Sequence, residues 1–352
     1  MRILFLLLAA VLVQPLMTAA AQAKSAGPII IAHRGASGER PEHTIAAYRL
    51  AIEQGANFIE PDLVLTSDGV LVARHENEIG ETTDVATRPE FADRKTTRVI
   101  DAQSFTGWFT EDFTLAELKT LRARERLPQL RVSNTAFDGR FDVPTFDEVL
   151  ALARDEGKKR RRVIGVYPET KHPSYFTSIG LPHEAPLLAA LDRFGHHDRT
   201  APVFIQSFEV GNLVALRAKT RLRLVQLMDE AGGPPDRPGA QYFDMTQPAA
   251  LAAVARYADG IGVHKAMVIP RDATGRLTGP TALVANARAA GLAVHVWTFR
   301  RENFFLPLDH RSGADPRGSG DLASEIRAFV ATGIDGLFSD NVTEAVAAVR
   351  GH

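Results

Sequence analysis

Short apolar runs separated by amphipathic segments dominate the chain after residue 27. An apolar run of four to eight residues that ends in polar residues is typical of a buried parallel strand, and apolar residues three and four apart indicate a helix. The runs predicted as strands are 28–32, 58–63, 163–169, 202–206, 223–227, 260–263, 293–298 and 336–339. A helical pattern follows each run, and eight βα units predict a (β/α)8 barrel, or TIM barrel; a doubly wound open sheet is the alternative.

The second strand leads into a predicted hairpin. Asp68-Gly69 separates two apolar runs, which favours a two-residue turn between antiparallel strands. That turn would place Asp62 directly opposite His75, and Glu60 would share the face of Asp62 because side chains alternate along a strand. Residues 79–142 then lose the barrel rhythm and contain polar, Gly- and Asp-rich stretches, so we expect an insertion after the hairpin.

The first 23 residues have the pattern of an export signal. One arginine precedes an apolar run that is too short to span a bilayer and that ends at Ala21-Gln22-Ala23. We expect cleavage there, a mature domain over 24–352 and a periplasmic or secreted protein; a retained membrane anchor is the alternative. The chain has no cysteine, and its formal net charge of −1 argues against nucleic acid or a stable membrane association as its partner.

Polar side chains follow the predicted strands at the end where barrels carry their active sites. They are His33, Arg34, Glu60, Asp62, His75 on the hairpin, Glu169, Lys171, Gln206 and Trp297. Three carboxylates without cysteine form an oxygen-ligand site that suits Ca²⁺ or Mg²⁺ better than Zn²⁺, so Glu60, Asp62 and Glu169 are the candidate metal ligands. Arg34 and Lys171 beside such a cation would hold a phosphoryl group and neutralise its charge.

Two histidines reach these strand ends from different elements. His33 and His75 are therefore candidates for the groups that take a proton from the attacking oxygen and give one to the leaving oxygen. Gln206 and Trp297 are candidate substrate contacts. The Trp297 ring would either form an apolar wall for an alcohol or pack in the barrel.

The motifs around these residues form a recognisable set. They are His33-Arg34-Gly35-Ala36-Ser37-Gly38, Pro41-Glu42-x-Thr44, Ile59-Glu60-x-Asp62, Thr66-x-Asp68-Gly69 with His75, Tyr167-Pro168-Glu169-x-Lys171 and Gln206-Ser207-Phe208. This set resembles the glycerophosphodiester phosphodiesterases, and most closely their exported bacterial members. The resemblance implies metal-dependent hydrolysis of small-molecule glycerophosphodiesters to sn-glycerol 3-phosphate and an alcohol. It implies His33 and His75 as the catalytic pair, and a divalent cation, usually calcium, on Glu60, Asp62 and Glu169.

Two positions depart from the family pattern. The family has Asn at the position of His43 and Asp at the position of Glu76. Neither is an implied metal ligand or acid–base group, so we expect effects on substrate contacts and on the loop near His43 only. The alternatives are a phospholipase D-like enzyme that attacks intact lipids and a non-catalytic periplasmic or surface binding protein. A binding protein has no need of two proton-transfer groups, which argues against it.

Overall fold

The computed structural model describes residues 27–351. The predicted export signal, residues 1–23, lies outside this range. None of the helices in the described range combines the length and the apolar character that crossing a bilayer requires. The fold is α/β, with a large curled sheet and helices packed on its outer face.

The sheet follows the predicted strands. In chain order the strands are β1 (Ile29–His33), β2 (Phe58–Glu60), β3 (Asp62–Leu65), β4 (Leu71–Ala73), β5 (Thr96–Ile100), β6 (Gln103–Gly107), β7 (Gly165–Val166), β8 (Glu169–Thr170), β9 (Phe204–Ser207), β10 (Arg223–Met228), β11 (Gly260–His264), β12 (Ala293–Phe299) and β13 (Gly336–Ser339). The large sheet has the order β4-β3-β8-β9-β10-β11-β12-β13-β1-β2-β7, and β5 pairs only with β6. Its pairings are parallel except for β3 with β4.

Two of the predicted strands are interrupted by prolines, which cannot donate to the ladder. Pro61 separates β2 from β3, and Pro168 lies between β7 and β8. Because β2 pairs with β7 and β3 with β8, each interrupted pair serves as one strand. Counted in this way, the parallel strands occupy the eight predicted positions, and the arrangement is of the TIM-barrel type.

The helices lie between the strands, as the pattern predicts. They are α1 (Ile45–Glu53), α2 (Leu115–Leu118), α3 (Phe146–Arg160), α4 (Pro173–Ser178), α5 (Glu184–Arg193), α6 (Val210–Arg217), α7 (Tyr242–Met245), α8 (Pro248–Val254), α9 (Leu283–Ala289), α10 (Leu322–Val330) and α11 (Val342–Arg350). Local chemistry fixes where the longest begins: the Thr145 hydroxyl accepts from the Glu148 N–H, and the Glu148 carboxylate accepts from the Thr145 N–H, which is a capping box.

The hairpin differs from its prediction by one residue. Its loop contains three residues, 67–69, because only Gly69 has a left-handed φ (76°), whereas the predicted turn needs two such residues in succession. The register therefore sets Arg74 against Asp62, and the Arg74 N–H donates to the Asp62 carbonyl at 3.0 Å. His75 lies one residue further on, so the prediction that it faces Asp62 directly is wrong.

Two apolar cores lie on the two faces of the sheet. The outer face packs against the helices, and the inner face forms a small cluster made of Ile31, Phe58, Tyr167, Phe204, Val225 and Phe338. Since side chains alternate with a period of two, the residue two positions beyond an inner-face residue lies on the same face, nearer the carboxyl end of the strand. The polar residues placed in this way are His33, Glu60, Glu169, Gln206 and Asp340.

The segment 79–142 carries the β5–β6 hairpin, α2 and several 3₁₀ turns. It does not form a core of its own. Phe113, Leu118 and Leu121 are buried in the same apolar cluster as the helices of the barrel. The segment is thus packed against the barrel, close enough for its side chains to reach the carboxyl ends of the strands.

Candidate active site

Most of the predicted site residues meet at the carboxyl ends of the inner-face strands. Hydrogen bonds and ion pairs join Arg34, Glu60, Asp62 and Gln206, and they join Lys171 to Glu169. The two groups meet where the oxygens of Glu60, Asp62 and Glu169 lie within 4.8 Å of one another. His33 lies beside this cluster, since β1 and β2 set it opposite Glu60. His75 is near enough for the charges of Arg34 and Lys171 to lower its pKa. Trp297 lies apart and packs against Phe208 and His264.

Three buried carboxylates form the centre of the site. Glu60, Asp62 and Glu169 each offer an oxygen within 4.8 Å of the other two. Burial and the neighbouring Asp62 carboxylate raise the pKa of Glu60 well above its usual range, and burial raises the pKa of Glu169 to about 8. Burial would also raise the pKa of Asp62, but Arg34 and Lys171 hold it well below its usual range.

This carboxylate cluster fits a hard divalent cation. Across residues 27–351, Asp62 Oδ1 is buried and has no hydrogen-bond partner. Oxygens that share one Ca²⁺ lie about 2.3–2.6 Å from it, so two of them are at most about 5 Å apart. The spacing, the orphaned oxygen and the raised pKa of Glu60 and Glu169 all correspond to a site whose negative charge a cation would offset.

Arg34 and Lys171 place positive charge against the carboxylates. The backbone N–H of Arg34 donates to Glu60 Oε2 at 2.8 Å, and its Nε lies 3.2 Å from Asp62 Oδ2. The Lys171 ammonium donates to Glu169 Oε1 at 2.8 Å. Arg34 has a left-handed φ of 60°, and Gly35 continues the same turn with a φ of 86°. The His-Arg-Gly motif therefore turns the chain sharply at the end of β1 and aims the Arg34 N–H at the site.

His33 is held by a carboxylate that the sequence analysis missed. Its Nδ1 lies 2.7 Å from Asp340 Oδ1. Burial and then the positive charge of Arg34 lower the pKa of His33 to about 4, although Asp340 opposes this. His33 is thus neutral at pH 7, and a neutral ring with Nδ1 on a carboxylate has Nε2 as its proton-accepting atom.

His75 has a matching arrangement. Its Nδ1 contacts the carboxylate of the next residue, Glu76. Burial, followed by the charges of Arg34 and Lys171, lowers the pKa of His75 to about 3. The departure at Glu76 therefore concerns a candidate histidine directly, which the sequence analysis did not expect.

His43 and Gln206 each contact one of the candidate metal ligands, Asp62 and Glu60 respectively. His43 is fully buried; its Nε2 lies 2.9 Å from Asp62 Oδ2 and its Nδ1 lies 2.7 Å from the Tyr48 hydroxyl. The expectation that His43 affects substrate contacts is not met by a direct contact, because the ring has no exposed surface. Gln206 Nε2 donates to Glu60 Oε1 at 3.1 Å, and Gln206 Oε1 has no partner in the part of the chain that the structure describes.

Trp297 lies between the inner core and a cavity of about 820 Å³. Its ring centroid lies 5.0 Å from that of His264, and Arg300 lines the same cavity. A second cavity, of about 350 Å³, includes the metal-ligand candidate Glu169 together with Lys171.

The sequence analysis missed four residues of the site. Asp340 follows the inner-face Phe338 by two positions, so the same alternation that selected Glu60 would have found it. Glu76 is adjacent to a candidate histidine, and the sequence analysis treated it only as a departure from the family pattern that is neither an implied metal ligand nor an acid–base group. Arg126 and Arg131 lie in irregular backbone, where no periodicity predicts the direction of a side chain.

Comparison with known proteins identifies the family. The model of the glycerophosphoryl diester phosphodiesterase family matches residues 33–344. A glycerophosphodiester phosphodiesterase of Arabidopsis thaliana is 38% identical over 326 residues, which is 89% of this chain and 83% of that protein.

Solved structures share the fold. The crystal structure of a Silicibacter pomeroyi protein superposes with a TM-score of 0.64 at 21% identity, over 93% of this chain and 94% of that one. An Oleispira antarctica phosphodiesterase in complex with the product sn-glycerol-3-phosphate superposes with a TM-score of 0.58 at 21% identity, over 92% of this chain and 97% of that one. The chain belongs to the glycerophosphoryl diester phosphodiesterase family and is an enzyme, a phosphoric diester hydrolase.

Proposed function

We propose that this site hydrolyses glycerophosphodiesters to sn-glycerol 3-phosphate and an alcohol, using a divalent cation and two histidines. The observation that carries the proposal is a pair of histidines, each bound through Nδ1 to a carboxylate, beside a buried cluster of three further carboxylates. Family membership supports the reaction class, and the Oleispira antarctica enzyme was solved with the product that we propose.

The histidines are proposed to carry the protons. Both rings are neutral at pH 7, because burial lowers the pKa of His33 to about 4 and that of His75 to about 3. One Nε2 would take a proton from the attacking oxygen as that oxygen bonds to phosphorus. An arriving phosphodiester is an anion and would raise the pKa of the second ring, so that its Nε2 binds a proton from solvent. That proton would pass to the leaving alcohol oxygen as the bond from phosphorus to this oxygen breaks.

Glu60, Asp62 and Glu169 are proposed to hold the cation, Ca²⁺ in preference to Mg²⁺. A bound divalent cation would supply Lewis-acid polarisation of the phosphoryl group. Arg34 and Lys171 already contact these carboxylates and would bind the phosphate oxygens directly.

Two further residues are proposed substrate contacts. Gln206 Oε1 is an acceptor without a partner among residues 27–351, and it would receive a hydroxyl of the glycerol moiety. The half-buried Trp297 ring would form an apolar wall for the alcohol group. Its Nε1 is buried and has no hydrogen-bond partner in the described range.

We also propose that residues 1–23 direct export and that the mature enzyme, 24–352, works in the periplasm or outside the cell. The support for this is the sequence pattern of the first 23 residues. Intact-mass analysis of the protein recovered from the expressing cell and from its medium tests it: a mature chain that begins at residue 24 is expected.

The segment 79–142 is proposed as an insertion into the barrel that helps to build the site.

The histidines provide the test. His33→Ala and His75→Ala are each expected to lower kcat on glycerophosphocholine by about 10²–10⁴-fold while the fold is kept. His197→Ala is the control, since His197 is exposed and its ring pairs with Asp192, which is not part of the site. Full turnover by either of the first two variants would contradict the proposal. Release of head group from intact phospholipid vesicles, with none from glycerophosphocholine, would favour a lipid phosphodiesterase instead.

A further inference from the structure

We propose that Arg126 and Arg131 are positioning residues, each of which fixes the carboxylate that orients one catalytic histidine. This inference rests on the proposed function, because it assigns a role within the same reaction. Both arginines belong to the irregular part of the segment 79–142 and lie only five residues apart. Neither is placed against the cation site, and neither is assigned a contact with substrate.

Arg131 uses all three of its guanidinium nitrogens inside the protein. Its Nη2 lies 2.5 Å from Asp340 Oδ2, its Nε lies 2.6 Å from Glu302 Oε1, and its Nη1 donates to the Ser37 carbonyl at 3.0 Å. The side chain is only 5% exposed. Arg300 Nε also donates to Asp340 Oδ2, at 2.9 Å. Since Asp340 presents its other oxygen, Oδ1, to His33, Arg131 and Arg300 together fix the plane of the carboxylate that orients the ring.

Arg126 does the same for the second histidine. It binds the Glu76 carboxylate through both terminal nitrogens: Nη2 donates to Oε2 at 2.5 Å and Nη1 donates to Oε1 at 3.0 Å. Glu76 in turn contacts Nδ1 of His75. The Nε of Arg126 donates to Glu42 Oε1 at 2.8 Å, and Glu42 Oε2 accepts from Arg34 at 3.0 Å. Arg126 therefore also steadies the arginine that we place on the phosphate.

The backbone between the two arginines is held rigidly enough to act as one unit. The N–H groups of Leu130 and Arg131 both donate to the Leu127 carbonyl, at 2.9 and 2.8 Å. Asn134 ties the segment to the β1 turn by donating to the Ser37 carbonyl at 3.3 Å, and its amide also donates to Glu125 at 2.9 Å. One short stretch of the insertion thus sets both histidines, one on β1 and one beyond the hairpin.

The fork shape of the arginine side chain is the property that matters. A guanidinium makes parallel or divergent hydrogen bonds in a fixed plane, whereas a lysine offers a single point charge. Without the guanidinium group the carboxylate can rotate. The histidine ring then turns with it, and Nε2 moves away from the reacting oxygen. A misplacement of about 1 Å at a reacting group costs about 10²-fold in rate.

The test compares Arg131→Met and Arg126→Met with Arg124→Met in the purified enzyme, assayed on glycerophosphocholine. Arg124 belongs to the same segment, but its side chain is 45% exposed and its nearest acidic group, Asp138, is 3.8 Å away. We expect Arg131→Met to lower kcat by about 10–100-fold with KM within about threefold. Arg126→Met is expected to lower kcat similarly and also to raise KM, because Arg34 loses its support. Arg124→Met is expected to keep the wild-type constants.

A double-variant cycle separates positioning from a general loss of stability. In the Asp340→Asn background, Arg131→Met should lower kcat by less than threefold, because the arginine acts through that carboxylate. Equal losses in both backgrounds would overturn the proposal. If Arg131→Met does not fold, Arg131→Lys takes its place: a reduced kcat at unchanged KM supports the role, and an unchanged kcat overturns it. No product release by the wild-type enzyme would instead count against the proposed function itself.

Discussion

At the scale of single residues, His33 and His75 are each oriented by a carboxylate that contacts Nδ1. Burial would raise the pKa of Asp340, but Arg300 and Arg131 hold it well below its usual range, so the group stays ionised next to His33. An ionised carboxylate accepts a hydrogen bond from the Nδ1–H group, keeps the ring in one tautomer and stabilises the charged ring that forms when Nε2 takes a proton. Glu76 has the same relation to His75.

Neutralising these carboxylates is expected to cost activity without removing the fold. Asp340→Asn and Glu76→Gln keep the volume of the side chain but lose the charge that stabilises a protonated ring, so kcat on glycerophosphocholine should fall by about 10²–10⁴-fold. Asp315→Asn, at an exposed residue paired only with Arg317, is the control. An Asp340→Asn enzyme with wild-type kcat would show that the contact with His33 has no catalytic role.

The sequence was informative wherever a strand set the direction of a side chain. Glu60 and Glu169 were predicted to lie together because each ends a predicted strand of the barrel, and the structure places both in one cluster. Asp340 obeys the same rule and was overlooked. Arg126 and Arg131 could not be predicted, because a chain without repeating dihedrals gives no rule for where its side chains point.

At the scale of elements, the turn after β1 needs a left-handed backbone at a position with no room for a Cβ. Gly35 has a φ of 86°, and a Cβ built there would lie 2.6 Å from the carbonyl carbon of Ala47 in α1. Gly69 in the hairpin loop has a φ of 76° but nothing within 4 Å of such a Cβ. The two glycines therefore need the same dihedral and differ in the space around them.

Alanine substitutions at these two positions separate the cost of a left-handed backbone from the cost of a steric clash between the new Cβ and α1. Gly69→Ala should lower the free energy of unfolding by about 1–2 kcal/mol, the cost of a left-handed residue with a Cβ. Gly35→Ala should lower it by about 2–5 kcal/mol, because α1 must also move, and kcat should fall as Arg34 shifts. Urea unfolding of both variants measures this. Equal losses of stability would contradict the account of the β1 turn.

The elements also show where short-range prediction fails. The strands lie at their predicted positions because each buried parallel strand is marked by a short apolar run in the sequence itself. The hairpin register was wrong by one residue because Asp68-Gly69 fits either turn. Thr66 favours the three-residue loop: its hydroxyl accepts from the Val70 N–H at 2.9 Å and donates to Asp68 at 2.6 Å.

At the scale of the whole molecule, the inner core of the barrel contains a buried histidine with no place in the chemistry. His295 Nδ1 lies 2.7 Å from the Tyr167 hydroxyl, and burial, followed by the charge of Arg223, lowers the pKa of His295 to about 3. The unfolded chain takes up this proton near pH 6.5. His295 therefore contributes its full stability above about pH 6.5, and the contribution is lost as the pH falls towards 3.

Removing this titration should flatten the dependence of stability on pH. Between pH 7 and pH 4.5 the wild-type enzyme should lose about 2–3 kcal/mol more of its free energy of unfolding than His295→Gln does. Urea unfolding of both proteins at the two pH values is the measurement. Parallel losses in the two proteins would show that His295 is not buried in its neutral form.

Cation binding should also be visible in the stability of the whole enzyme. A ligand that binds only the folded state raises the melting temperature by mass action. Millimolar Ca²⁺ is expected to raise the Tm of the EGTA-treated wild-type enzyme and to leave that of a Glu60→Gln, Asp62→Asn, Glu169→Gln variant unchanged. An equal rise in both proteins would place the ion somewhere else.

The most direct measurement is release of sn-glycerol 3-phosphate from glycerophosphocholine by the purified mature enzyme, with EGTA and then with Ca²⁺ or Mg²⁺ restored. We expect release that EGTA abolishes and that Ca²⁺ restores more fully than Mg²⁺. Release that continues unchanged in EGTA would contradict the cation site, and no release from any glycerophosphodiester under these conditions would contradict the proposed function.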